Sequence, residues 1–310
     1  MITFSIIIPV YNGQSHIRET IDSVIKHSQH QNKEILVIND GSTDETLEIL
    51  QRYKSEITII NQANGGEASA VNLGINTAKG KYVLVVSADD PLISEDLFDK
   101  AQSVLDNDEE LVAAYPDWQM IDSENKILLI KRCPEYSFEE LLGEFHCIPG
   151  PGTVFRAKDA KEIGGRSADY RFVSDYDFWL RLASKGNFAR IPQVLAQWRS
   201  HDDSTSVGSR GYVMALERIE VVEKFLANYP QHPKLARRAK ASALYNAAIL
   251  ALFDPVVPGR KWMVEALRIN RRWIRSSKLL VVVYLLTLPI SRRLYVALIS
   301  IGLMSKRTHK

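Results

Sequence analysis

The stretch "EILVINDGSTDETLEIL", residues 34–50, carries a strand, a turn and the start of a helix in one line. Ile35 to Ile38 is an aliphatic, β-branched run of the kind that packs on both faces of a buried strand. Asn39, Asp40 and Gly41 end it with turn chemistry. Ser42, Thr43 and Asp44 then offer oxygens to the first N–H groups of a helix, whose positive end favours acids in the first turn. The stretch therefore reads as one βα unit.

The unit recurs on both sides. "FSIIIPV" (4–10), "ITIINQ" (57–62) and "YVLVVS" (82–87) are further short strands, and helical patterns lie near 15–27, 43–53 and 67–78. Such alternation predicts an α/β, Rossmann-like fold with a mostly parallel central sheet flanked by helices. Ligands of open parallel sheets bind beyond the carboxyl ends of the strands, where "PVYNG", "NDGSTD" and "SADD" all fall. A carboxylate there, such as Asp40, can accept the imide N–H of a uracil ring. The Tyr11 ring and the backbone of "PVYNG" can meet a base.

"KYVLVVSADDPL" (81–92) ends an apolar run in two adjacent acids, Asp89 and Asp90. Neighbouring carboxylates repel unless a cation or hydrogen-bond donors share them. A solvated turn before Pro91 is the plain alternative.

After residue 110 the rhythm changes. "LVAAYPDWQMID" and "KILLIKR" read as a strand pair, followed by a loop containing "HCIPGPGTVFR" (146–156) and a short helix near 158–163. "SDYDFWLRLASKG" (174–186) reads as a helix stopped at Gly186, with two strands near 187–199 after it. From about 209 the pattern is helical, with breaks at Pro230, Pro233 and Pro255–Pro258.

Composition is that of an ordinary globular protein, with 45% hydrophobic and 25% charged residues. The two cysteines, Cys133 and Cys147, have neither metal-ligand spacing nor a disulfide-framework count, which fits a reducing compartment. No signal peptide is read in the amino-terminal apolar run. Charge is uneven: residues 255–310 hold twelve Lys and Arg against one acid, a net +11, and the rest hold 27 basic and 36 acidic side chains, a net −9.

Four motifs carry a resemblance. "SIIIPVYNG", "EILVINDGSTD", "NGGEASAVNLGINTAKGKYVLVVSADD" and "SDYDFWLRLA" stand in the order and spacing of family 2 glycosyltransferases, over roughly residues 3 to 205. The resemblance implies the GT-A fold and inverting sugar transfer from a nucleoside diphosphate donor, a UDP-sugar. It implies that Pro9, Tyr11, Asp40 and Ser42 line the nucleoside pocket and that Asn64 to Asn72, with Gly65, lies around the base and diphosphate. Ser87-Ala88-Asp89 stands for the family's Asp-x-Asp. Asp89 and Asp90 then divide the contacts to Mn2+ or Mg2+ and to the ribose, and which takes which stays open. Asp175, at the start of its helix, corresponds to the catalytic base. "QWRSHDDSTS" (197–206) places Arg199 and His201 near the diphosphate, with the imidazole as metal ligand or phosphate donor. His146 is assigned near the acceptor. Val71, Ser87 and Ser174 depart from the family pattern and motivate an alternative, a nucleotide-sugar binding module without transferase activity.

The tail "SKLLVVVYLLTLPISRRLYVALISIGLMSKR" has two apolar runs, each too short to span a bilayer, with basic residues between and around them. Residues 275–310 therefore suit an anionic membrane surface better than nucleic acid. A helical hairpin packed on the catalytic domain or on a second subunit is the other reading, and the oligomeric state stays open. The expected organisation is a catalytic domain over 1–205 and a helical region over 206–310. The expected acceptor is a glycan or lipid-linked precursor, at the cytoplasmic face of a membrane.

Overall fold

The structure is a computed structural model that describes residues 2–146, 149–200, 211–250 and 259–270. His201 and the 275–310 tail lie outside the described residues. The chain divides into two compact units, Met1–Leu141 with Cys147–Asp202, and Leu142–His146 with Asp203–Lys310.

The first unit is built on one mixed sheet. Strands β1 (Phe4–Val10), β2 (Lys33–Asp40), β3 (Thr58–Gln62) and β4 (Tyr82–Val85) are all parallel, in the order β3-β2-β1-β4. Val10 pairs with Asn39 and Asp40 with Gln62, so the carboxyl ends of β1 to β3 finish level. Helices α1 (Ile17–His27), α2 (Thr46–Gln51) and α3 (Glu67–Thr77) make the crossovers. Phe4, Ile6 and Ile8 share a core with Ile17 and Ile21 of α1 and with Leu97, Phe98 and Leu105 of α4 (Asp96–Asn107). Each such fully buried side chain contributes about 1.5–3 kcal/mol. On the opposite face α3 comes so close that a Cβ at Gly74 would sit 2.4 Å from the Ile7 side chain.

Beyond β4 the sheet turns mixed. β5 (Leu111–Ile121) forms an antiparallel hairpin with β6 (Ile127–Lys131), the strand pair expected from the sequence. Helix α5 (Phe138–Glu144) follows, and β7 (Val154–Arg156) inserts antiparallel between β4 and β5. Helices α6 (Ala157–Glu162) and α7 (Ser174–Ala183) lead to β8 (Asn187–Arg199), which runs parallel to β5.

Two readings are corrected here, and two helices are added. The span expected as two strands near 187–199 is one strand: Pro116 pairs with Ile191 and Asp117 with Val194, so Pro192 and Gln193 bulge out of the ladder. Proline has no N–H for a ladder, and a bulge accommodates it. "TVFR", read within a loop, supplies β7. Helices α4 and α5 had no sequence expectation, although Leu97, Phe98, Ala101 and Leu105 of α4 are all buried at helical spacing.

The second unit contains α8 (Gly211–Asn228), α9 (Pro233–Leu250) and α10 (Gly259–Ile269). Ala247 and Ala248 of α9 pack with Ala215 of α8 and with Trp262, Met263 and Ala266 of α10. The breaks expected at Pro230 and Pro233 hold, with Pro233 opening α9. Among the described residues no helix is long and apolar enough to cross a membrane.

Candidate active site

Turns after β1 and β2 are sewn together at the carboxyl edge. The Asn12 N–H donates to Ser42 Oγ at 3.0 Å, and the Thr43 N–H returns to Asn12 Oδ1 at 2.8 Å. The Gly13 N–H donates to Thr46 Oγ1 at 2.9 Å. Ser42 thus fastens one loop to the other. Beside it Pro9 is half-buried, while the Tyr11 side chain is 53% exposed, an aromatic face turned to solvent at the end of β1.

Asp40 has a defined task within the chain. Its Oδ1 accepts from the Gly65 N–H (2.8 Å) and from Gln62 Nε2 (2.6 Å), and its Oδ2 from the Gly66 N–H (2.8 Å). A buried carboxylate with three donors pins the 63–66 turn that opens α3. Asn64 and Gly65 are exposed on that turn. Gly41, at φ +71°, brings the turns within contact, since a Cβ there would lie 2.8 Å from the Asn64 nitrogen. Gln62 had no role in the sequence reading; its position directly opposite Asp40 in the ladder is visible only once β2 and β3 are paired.

Asn72 is tied to the backbone of Arg166. Its Nδ2 donates to the Arg166 carbonyl and its Oδ1 accepts from the Arg166 N–H, both at 2.7 Å. Arg166 in turn reaches Glu67 in the first turn of α3 at 2.6 Å. The Asn72 amide thus clasps the loop that leads to α7.

At the end of β4 the two acids separate. Asp89 is half-buried, whereas Asp90 is only 6% exposed and turned inward. The Arg199 N–H donates to Asp90 Oδ1 at 2.7 Å, and the Ser87 hydroxyl also bonds Asp90. Burial, reinforced by the neighbouring charge of Asp89, pushes the Asp90 carboxyl up to about 8. Ser87 therefore serves Asp90 rather than standing alone as the first member of an Asp-x-Asp pair.

Arg199 is 1% exposed, and its guanidinium is committed within the protein. Nε donates to the Asp89 carbonyl (2.9 Å), Nη1 to the carbonyls of Asp122 and Ser123 (3.2 and 3.4 Å), and Nη2 to Glu19 (2.8 Å). Within the protein Arg199 is a latch behind the acidic turn. Glu19, Asp122 and Ser123, its partners, carry no local sequence signal because they lie 76 to 180 residues away along the chain.

Asp175 stands out on α7. Val173, Ser174 and every residue from Tyr176 to Leu180 are buried, yet Asp175 is exposed. Its Oδ1 accepts from the Tyr176 N–H at 2.7 Å, within the positive first turn of the helix. Asp177 instead pairs with Arg181 at 2.5 Å, and Arg181 holds the carbonyls of Ile163 and Gly165. Phe178 and Trp179 pack on Phe155 of β7, and Trp179 packs on Phe188 of β8. Because β8 starts just after α7, the first turn of the helix points back toward the carboxyl edge of the sheet.

Among the described residues no three His, Cys, Asp or Glu side chains gather as a metal site. Mg2+ and Mn2+ are hard cations commonly held by one or two carboxylates together with substrate phosphates. The half-buried Asp89 at the strand end fits that demand, while Asp90 is buried against the Arg199 N–H.

The fold is that of the GT-A glycosyltransferases. Residues 1–349 of S. aureus TarS in complex with UDP-GlcNAc superpose with a TM-score of 0.66 at 17% identity, covering 92% of this chain and 87% of that one. A Pyrobaculum calidifontis mannosyltransferase in complex with GDP-Man and Mn2+ superposes at 0.58 and 17% identity, covering 86% and 79%. The sequence profile described as Glycosyl transferase family 2 matches residues 5–164, just over half of the chain. An uncharacterized glycosyltransferase of Rickettsia typhi is 33% identical over 208 residues, which are 65% of this chain and 65% of that relative's length. The chain belongs to glycosyl transferase family 2.

Proposed function

We propose that this chain transfers a sugar from a UDP-sugar to a hydroxyl acceptor with inversion at the anomeric carbon, using Asp175 as the base. The observation that carries the reading is the exposure of Asp175 alone within an otherwise buried first turn of α7. The first turn of the helix favours an acid electrostatically, and its exposure leaves the Asp175 carboxylate open to an acceptor hydroxyl. The nucleoside pocket is assigned to Pro9, Tyr11, Asp40 and Ser42. Asp40 acts there chiefly by holding Asn64 and Gly65 in place, and Asn72 by holding the loop before α7.

Asp89 would hold Mg2+ or Mn2+, and the cation would supply Lewis-acid stabilisation of the leaving diphosphate. Asp90 and Arg199 fix the backbone of that turn. His201 stays assigned as a further metal or phosphate contact. In the reaction the Asp175 carboxylate takes the proton of the acceptor hydroxyl as its oxygen attacks the anomeric carbon. The bond from that carbon to the β-phosphate oxygen breaks, and its electron pair leaves with UDP.

The catalytic domain is assigned to residues 1–205, and the acceptor to a glycan or lipid-linked precursor at a membrane. The basic, apolar 275–310 tail supports the membrane setting. Replacing Asp175 by Asn keeps size and polarity while removing the base. Turnover falls by about 10²- to 10⁴-fold, the usual worth of general-base catalysis, with thermal melting and UDP affinity unchanged. Wild-type turnover in Asp175→Asn would overturn the assignment.

A further inference from the structure

Strand β6 exposes four large apolar side chains in a row: Ile127, Leu128, Leu129 and Ile130 are 51, 52, 49 and 54% exposed. Successive strand residues point to opposite faces, so both faces of this ribbon are apolar. One edge pairs with β5, and β6 ends the order of the sheet, so its other edge has no strand beside it among the described residues. Lys126, Lys131 and Arg132 flank the run and are exposed. The opposing acids nearby are few. Asp122 is engaged by the N–H groups of Glu124 and Lys126 in the hairpin turn, Glu135 is paired with Arg190, and Glu124 alone is turned out at the tip.

A bare apolar edge invites either another strand or a lipid surface. The sequence decides between them. Residues 126–131 read Lys-Ile-Leu-Leu-Ile-Lys, the same in both directions. Two copies pairing this edge about its centre would set Lys126 of each opposite Lys131 of the other. Like charges directly opposite destabilise a ladder, and edge lysines commonly serve to prevent one. The same lysines suit an anionic surface, since their apolar stems run along the strand while the ammonium groups reach headgroups. Five residues extend about 17 Å, too short to span a bilayer. The unpaired N–H and C=O groups of the edge also need polar partners, which keeps the ribbon at headgroup depth.

We infer that β6 is a docking ribbon for an anionic lipid surface, inserting Ile127 to Ile130 among the headgroups with Lys126, Lys131 and Arg132 on the phosphates. The inference is independent of sugar transfer and of the 275–310 tail. It is tested in the full chain with an environment-sensitive fluorophore on Leu128→Cys, with Cys147→Ser removing a second thiol; the native Cys133 is buried. Vesicles of phosphatidylcholine with phosphatidylglycerol shift the emission to the blue and raise it, whereas pure phosphatidylcholine does not. The double change Lys131→Glu/Arg132→Glu weakens binding to the anionic vesicles at least tenfold, each basic residue being a substantial share of such attraction. Unchanged emission at saturating anionic vesicles overturns the inference. So does a sedimenting dimer that Leu129→Lys splits, which would give the edge to a second copy. No donor sugar is present, so failure here leaves the transferase assignment standing.

Discussion

Adjacent carboxylates at the end of β4 are made compatible by burial. Asp90 is turned inward against the Arg199 N–H and the Ser87 hydroxyl, and its carboxyl rises to about 8 through desolvation and the charge of Asp89. At neutral pH Asp90 therefore tends to keep its proton, and the repulsion that the sequence suggests is largely removed. A raised folded value has a definite sign for an acid. Between about pH 4 and 8 the folded state binds more protons than the unfolded chain, so this residue lowers stability as pH climbs through that window. Asp90→Asn keeps an oxygen for the Arg199 N–H and removes the titration. Its melting temperature is expected to fall less between pH 5 and pH 8 than that of the wild type. Equal slopes in thermal melts of the metal-free proteins would contradict this account of Asp90.

At the scale of elements, the site depends on clasps between segments far apart in sequence. Asn72 on α3 holds Arg166 by both ends of its amide, and Arg181 on α7 holds Gly165. Gly165 has φ +71°, and a Cβ there would lie 2.2 Å from Asn72 Oδ1. Gly165→Ala combines left-handed strain with that clash, so it is expected to destabilise the fold by about 1–3 kcal/mol. The shift appears in the urea midpoint; a change below about 0.5 kcal/mol would mean the clasp yields freely.

These clasps also mark where sequence reading stops. The parallel half of the sheet was legible because β-branched runs and helix starts are local signals, and β1 and β2 fall where "FSIIIPV" and "EILVIND" place them. β7 was not, because three residues after a glycine-proline loop carry little periodicity. Asp175 and Asp89 could be singled out as acids at element ends, where the structure exposes the first and half-buries the second. The partners of Arg199 and Asn72 within the protein could not be read, since a hydrogen bond across 94 or 180 residues leaves no trace in local spacing.

For the whole molecule, the acidic body and basic tail divide the sequence into parts of opposite charge, −9 and +11. The described helices after residue 210 belong to the second unit, and the family profile covers residues 5–164, nearly all of them in the first. Fold and family place the chain among the glycosyl transferases of family 2, while the proposed transfer, its donor and its acceptor rest on the chemistry of the carboxyl edge. The shortest route to that chemistry is a panel of sugar nucleotides incubated with the full chain, with and without Mn2+, and read for release of the nucleoside diphosphate. The expected result is UDP release from a UDP-sugar that rises with Mn2+ and is abolished in Asp89→Ala. Turnover of none of the panel, in a protein that melts cooperatively, would contradict the central claim.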